Sequence, residues 1–157
     1  MFHLRPYDKR DFDRLWKIDR LCFEPEIAFS RPELSSYIAR RHSFTIVAEA
    51  APSPGGKSGE RPFIAGFITT EMARNGIGHI ITIDVLAEHR RSGLGTQLLF
   101  AAEEQVRKLE GFMVVLEVAV NNAPARAFYE RHGYKVVKSL PGYYNRKIDG
   151  LFLTKRL

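Results

Sequence analysis

The chain has 157 residues, 45% hydrophobic and 27% charged, the balance of an ordinary soluble globular protein that fits one domain over 1–157. Its formal net charge of +6 favours anionic partners, coenzymes and ribosomal surfaces among them, yet no helix-turn-helix, RNP motif or basic-aromatic repeat makes direct nucleic-acid binding an expectation. A single cysteine excludes an internal disulfide and a cysteine-based zinc cluster and suits a reducing cytoplasm, while no apolar run reaches membrane-span length and the charged start MFHLRPYDKR is unlike a signal peptide.

In chain order, residues 2–6 read as a first strand. From Asp8 the pattern turns helical, with Phe12, Leu15, Trp16 and Leu21 in an amphipathic stretch that carries Asp8 or Asp11 near its start. Cys22, between Leu21 and Phe23, reads as a buried small hydrophobe rather than a nucleophile. Residues 23–29 break the pattern. Ser30 before Arg31-Pro32-Glu33 then caps a second helix running to about Arg41, because the proline suits a first turn and Glu33 completes a capping box. Residues 43–50 and 63–72 read as two strands of a meander. The stretch 52–60 between them reads as a flexible hairpin loop, since strand signals resume directly after it. Its Gly55-Gly56-Lys57-Ser58 echoes a P-loop but lacks the first glycine at the required spacing and a following helix.

Residues 79–86 are rich in β-branched side chains (Ile80, Ile81, Thr82, Ile83, Val85), which suits a buried strand. Leu94, Leu98 and Ala102 then follow at helical spacing. Between strand and helix lies His89-Arg90-Arg91-Ser92-Gly93-Leu94-Gly95. A helix start leaves backbone N–H groups unpaired at the positive end of its dipole. Glycines there admit a ligand close to the backbone, and arginines add charge-assisted contacts, so the geometry suits a phosphate or pyrophosphate. An ordinary strand-to-helix turn with solvated arginines is the other reading. The dinucleotide fingerprint fails for want of a third glycine, since Leu98 stands there, and the P-loop fails because Thr96-Gln97 follow Gly95.

Gly111 ends the helix, and residues 112–120 form the most apolar strand. Within it Glu117 stands alone, either a general base beside a cleft or a salt-bridged strand residue. A further helix follows, capped by Asn122 or Ala123 ahead of Pro124 and stopped at Gly133. It carries Tyr129, which on its own reads equally as a core residue with a bonded hydroxyl. Residues 134–139 and 150–155 read as the last two strands, joined by Pro141-Gly142-Tyr143-Tyr144. The alternation predicts an α/β fold with a mixed central sheet and helices on both faces.

Arg90-x-x-Gly93-x-Gly95 after a strand resembles the acyl-coenzyme-A pyrophosphate loop of the GNAT superfamily of N-acetyltransferases. Leu116-Glu117-Val118, Asn122-Ala123-x-Ala125-x-x-Phe128-Tyr129 and Gly133-Tyr134 resemble the second half of the same core. With Cys22-Phe23 and Tyr143-Tyr144, the resemblance is nearest the RimI-type and archaeal protein N-terminal acetyltransferases and leaves out only the 52–59 insertion. It implies the GNAT fold and acetyl-CoA as donor, with transfer to a protein α-amino group, a ribosomal protein being one candidate. Ile83 and Val85 would meet the pantetheine arm, and Arg90, Arg91, Ser92, Gly93, Leu94, Gly95 and Thr96 the pyrophosphate. Asn122 and Tyr129 would contact the coenzyme near its reactive end. Glu117 would act as general base, directly or through water, and Tyr129 as general acid, while Phe23, Pro25, Tyr143 and Tyr144 would shape the peptide slot. Val120-Asn121 stand where that group often carries polar or basic residues, which leaves side-chain selectivity open. The rival readings are a small-molecule or lysine acetyltransferase and a non-catalytic acyl-CoA sensor. Neutralising an α-amine of pKa about 7.8 at pH 7 costs about 1 kcal/mol, against roughly 4.6 kcal/mol for a lysine of pKa about 10.4, which favours the peptide N-terminus.

Overall fold

The computed structural model describes residues 1–52, 55 and 62–157. Among them seven strands, Phe2–Pro6 (β1), Ser43–Ala50 (β2), Phe63–Met72 (β3), Ile77–Val85 (β4), Met113–Ala119 (β5), Lys135–Tyr144 (β6) and Ile148–Arg156 (β7), form one sheet in the order β1-β2-β3-β4-β5-β7-β6. All neighbours run antiparallel except β4 and β5. Four helices, Phe12–Cys22 (α1), Arg31–Ala39 (α2), Leu94–Lys108 (α3) and Ala123–Arg131 (α4), cover both faces. Leu15, Ile18 and Leu34 of α1 and α2 pack with Val47, Ile64, Phe67 and Leu86 on one face. Leu94, Leu98, Leu99 and Val106 of α3 pack with Ala48, Ile68, Ile80 and Leu116 on the other. The expected hairpin loop lies almost wholly outside the described residues, as does its P-loop echo apart from Gly55.

Local chemistry sets the helix starts. Asp8 and Asp11 both act, as a capping box around the short turn Lys9–Asp11 that leads into α1. Ser30 and Glu33 form the second box, with the Ser30 N–H donating to Glu33 Oε1 at 3.1 Å. That helix stops at Ala39, short of Arg41; beyond it Ser43 Oγ lies 2.7 Å from the Arg40 carbonyl. Asn122, not Ala123, caps α4, its side chain accepting from the Ala125 N–H at 3.2 Å.

The final hairpin differs from the expectation. Tyr143 and Tyr144 stand at the end of β6 rather than in a connecting turn, and the chain reverses at 145–147 instead. Pro141 is tolerated because β6 is an edge strand, where a missing N–H breaks no inner ladder. Gly142 adopts φ +61 and donates its N–H to Asp149 Oδ1 at 2.8 Å, so the strand kinks and resumes.

The sheet is split at its centre. β4 and β5 pair only through Ile77, Gly78 and His79 against Met113, Val114 and Val115. Beyond that point β4 stays with β3 and β5 stays with β7, so the strands diverge. An extra residue in β4, Ile81, opposes no residue of β3 and locally turns the strand.

Candidate active site

Among the described residues the divergence leaves the inner edges of β4 after His79 and of β5 after Val115 without a strand partner, so their backbone groups face a cleft. Ile83 and Val85 lie on the β4 side, half-buried against the α3 core. The Val85 carbonyl accepts from Arg90 Nε at 3.0 Å, and the Cys22 thiol lies 3.4 Å from it. Burial pushes the Cys22 thiol up to about 11, so it stays protonated at neutral pH, in keeping with a packing role.

At the end of β4 the loop of Arg90, Arg91, Ser92 and Gly93 wraps onto the start of α3. Gly93 caps the helix in the left-handed region (φ +85), and Arg91 takes φ +59 despite its side chain. Such turns aim successive amides into an anion-binding concavity. Gln97 is the first residue whose N–H reaches a helical carbonyl, Gly93 O at 3.0 Å, so the amides of Leu94, Gly95 and Thr96 point out of the helix end. A Cβ on Gly93 would meet nothing within 4 Å among the described residues, which leave the approach to this end open. A Cβ on Gly95 would touch the Phe128 ring at 3.4 Å, which lets α4 close against α3. The Ser92 hydroxyl is turned inward onto the His89 carbonyl, and Thr96 Oγ1 lies 3.1 Å from His132 Nε2.

Glu117 does not stand alone. Its Oε2 lies 2.6 Å from His79 Nε2, both side chains being partly buried. The β4–β5 register explains the pairing: His79 is opposite Val115, and Glu117 is the next residue along β5 on the same face. His79 was missed in the sequence because a pair 38 residues apart exists only through that register; its one signal was a polar residue opening an apolar strand. Tyr143 of β6 comes within reach of Glu117 and of Tyr37 from α2, a second residue the sequence reading passed over. Burial, followed by the nearby Glu117 charge, pushes the Tyr143 phenol up to about 12, and Tyr144 is raised by burial and by its neighbours Tyr143 and Glu117. Tyr129 is buried at 6% exposure, and its phenol is raised by burial first, then by Asp84 and Tyr144. Tyr144 thus lies near enough to both Glu117 and Tyr129 for their charges to be felt. The Asn122 oxygen is taken up as the α4 cap.

Phe23 ends α1 half-buried, and Pro25 is exposed in the following turn, where Ala28 N–H bonds Glu24 O at 2.8 Å. Phe29 closes this segment against Tyr37, ring centroids 5.3 Å apart, and Arg40 stacks over Tyr37 at 4.4 Å.

Residues 12–134 match the Acetyltransferase (GNAT) family. The chain belongs to that family. Among its relatives, an N-alpha-acetyltransferase of Saccharolobus solfataricus is 40% identical over 81 residues, 51% of this chain and 48% of that protein. The N-terminal acetyltransferase B complex catalytic subunit NAA20 of Arabidopsis thaliana is 30% identical over 126 residues, covering 78% and 67%. The chain thus spans about half the length of the first of these. The GNAT fold is shared with Arabidopsis thaliana NAA60 solved in complex with acetyl-CoA, at a TM-score of 0.83 and 21% identity over 100% of this chain and 99% of that one. GNAT acetyltransferases use acetyl-CoA. No helix among the described residues of this GNAT chain is long and apolar enough to cross a membrane.

Proposed function

We propose that this chain transfers the acetyl group of acetyl-CoA to the N-terminal α-amino group of a protein, directly within a ternary complex. The observation that carries the reading is the His79–Glu117 pair at the point where the sheet splits, with Tyr143 and Tyr37 gathered beside it. The names of the two relatives point the same way.

The residues present fit the coenzyme. The unpaired β4 edge at Ile83 and Val85 offers a peptide-like backbone to the pantetheine amides. The outward amides of Leu94, Gly95 and Thr96, with Arg90, Arg91, Ser92 and Gly93, suit the pyrophosphate, and Asn122 and Tyr129 lie toward the reactive end. When bound, acetyl-CoA supplies an acetyl thioester already activated for attack by an amine.

His79 with Nε2–H donating to Glu117 has Nδ1 as its basic nitrogen. Nδ1 takes the proton of the attacking amine, and the Glu117 carboxylate stabilises the resulting imidazolium. Glu117, read from the sequence as the base itself, thereby becomes one member of a two-residue base. The Tyr129 phenol, kept protonated by burial, returns a proton to the leaving sulfur. Phe23, Pro25, Tyr143 and Tyr144 line the route of the acceptor peptide, with Tyr37 as a further wall. A ribosomal protein remains a candidate acceptor, since the positive charge of the chain suits approach to an anionic ribosomal surface.

The test is a panel of peptides with free α-amines, each paired with an N-terminally blocked copy carrying lysine, incubated with acetyl-CoA and read by mass spectrometry. Acetylation should fall on the free α-amines. Acetyl groups found mainly on lysine side chains overturn the choice of acceptor.

A further inference from the structure

Two carboxylic acids are buried together where α1 crosses β4, and the reaction described above uses neither. Asp19 of α1 is 0% exposed and Asp84 of β4 is 1% exposed. Asp19 Oδ2 accepts from the Phe29 N–H at 2.8 Å, and Asp84 accepts from the Thr82 hydroxyl. Among the described residues Asp19 Oδ1 and Asp84 Oδ2 find no hydrogen-bond donor, although the two carboxyl groups lie within hydrogen-bonding reach of each other. As two carboxylates they could only accept, and two like charges without water would repel strongly. One proton held between them gives each group a partner and removes one charge.

Asp19 reaches further through Phe29. Trp16, one turn earlier on the same face of α1, donates its indole N–H to the Phe29 carbonyl at 3.3 Å. Both backbone groups of Phe29 are therefore gripped by α1, the N–H by Asp19 and the carbonyl by Trp16. Phe29 terminates the 23–29 segment, which contains Phe23 and Pro25, and its ring rests on Tyr37. We propose that Asp19 and Asp84 are positioning residues that share one proton, and that this proton fastens the 23–29 wall of the acceptor slot to the central strand. The proposal rests on the acceptor reading for what the wall does, but the grip itself can be tested without any acceptor.

The groups facing the pair fix the direction of its pH response. Arg90, at the end of β4, is the cation that favours loss of the proton. The Thr82 hydroxyl and the Phe29 amide act the same way. Glu33 of α2 opposes loss by its charge, while Cys22 and Tyr129 lie close by as neutral groups. Burial outweighs the rest: Asp84 is raised well above the ordinary aspartate value, and Asp19 is raised as well. The folded pair thus holds its proton where unfolded aspartates, with pKa about 3.9, have lost theirs. The folded state then binds more protons than the unfolded one, so stability contributed by the pair falls as pH rises through that window. On the alkaline side the tie between Asp19 and Asp84 is lost, and with it the fastening of the 23–29 segment to β4, while the Phe29 N–H stays bonded to Asp19.

Trp16 is the only tryptophan of the chain and bonds the gripped residue, so its fluorescence reports on the grip. The intact protein is titrated from pH 5 to 9.5, with far-UV circular dichroism confirming that it stays folded. Trp16 emission and its quenching by acrylamide should change in one step in the wild type. Asp84→Asn supplies a permanent amide N–H in place of the shared proton, so the step should vanish with Trp16 held in its low-pH state. Asp19→Asn, which keeps an acceptor for Phe29, should behave alike and serves if Asp84→Asn does not fold. In turnover of an acceptor peptide from the panel, KM for peptide should rise severalfold from the acid to the alkaline side of that step in the wild type but not in the asparagine variants, with kcat changing alike in both. The same fluorescence step in both asparagine variants, or no step in the wild type, overturns the shared-proton grip. A step that disappears as expected while no α-amine peptide is acetylated leaves the grip standing and overturns the acceptor reading alone.

Discussion

At the scale of single residues, the proposed chemistry reduces to one hydrogen-bonded histidine–carboxylate pair and one buried phenol. Removing either member of a hydrogen-bonded acid–base unit disables both, so their effects should not add. Glu117→Gln should lower kcat at pH 7 by at least about tenfold, within the range of about 10²–10⁴ ascribed to acid–base help, and leave acetyl-CoA affinity nearly unchanged. His79→Asn should cost a similar factor, and the double variant little more than the worse single one. Raising the pH to 9 should partly rescue Glu117→Gln relative to wild type at the same pH, because an α-amine of pKa about 7.8 then deprotonates unaided. Tyr129→Phe should show no such relief, since its proton is needed on the leaving-group side. Steady-state kinetics at the two pH values check all four variants; independent, multiplicative losses in the double variant would separate His79 from Glu117. Glu117 was legible in the sequence because a carboxylate in an apolar strand demands an explanation. His79, Tyr37 and the Asp19–Asp84 pair were not, because each gains its meaning from a partner on another element.

At the scale of elements, capping residues and glycines carried most of the information. Ser30, Glu33, Asn122 and Gly133 act through neighbours a few residues away, so their chemistry can be read locally. The kink at Pro141-Gly142 could not, because whether a proline ends a strand or rides on it depends on that strand being at the sheet edge, a fact of topology. The loop into α3 reads from the sequence as a candidate anion site, and the structure adds a distinction between its two glycines. Gly93 needs its positive φ but has open space around it, whereas Gly95 sits against Phe128. Gly93→Val should therefore weaken acetyl-CoA binding by blocking backbone approach, while left-handed strain lowers stability by only about 1–2 kcal/mol. Gly95→Val should weaken binding and, in addition, force α4 away from α3, with the larger fall in melting temperature. Calorimetric titration with acetyl-CoA and thermal unfolding on the same samples decide it. Binding by Gly93→Val as tight as wild type would remove the loop from the coenzyme site.

At the scale of the whole molecule, the cleft exists because the sheet is held together across its centre by little. The β1–β4 half and the β5–β7–β6 half meet through a three-residue parallel ladder, and α3 packs over that seam. The side chain of Val106 on α3 fits against two glycines there. A Cβ on Gly78 would stand 2.6 Å from Val106 Cγ2, and one on Gly111 2.4 Å from Cγ1. Gly78 lies in the ladder itself, so a methyl at that position must lift α3 from the seam or part the strands. Valine cannot turn aside, because branching at Cβ leaves it little rotamer freedom. Gly78→Ala should accordingly destabilise the fold by about 1–3 kcal/mol, as overpacking of a tight interior does. Val106→Ala alone should also destabilise, since it empties a site with 0% exposure. Combined, the two changes should cost less than their sum by roughly 0.5–3 kcal/mol, because the new methyl enters the space the valine left. Urea unfolding of the wild type, both single variants and the double variant measures this coupling directly. Strict additivity would mean that Gly78 and Val106 do not meet across the seam, and that some other contact keeps the two halves joined while their far ends stay apart.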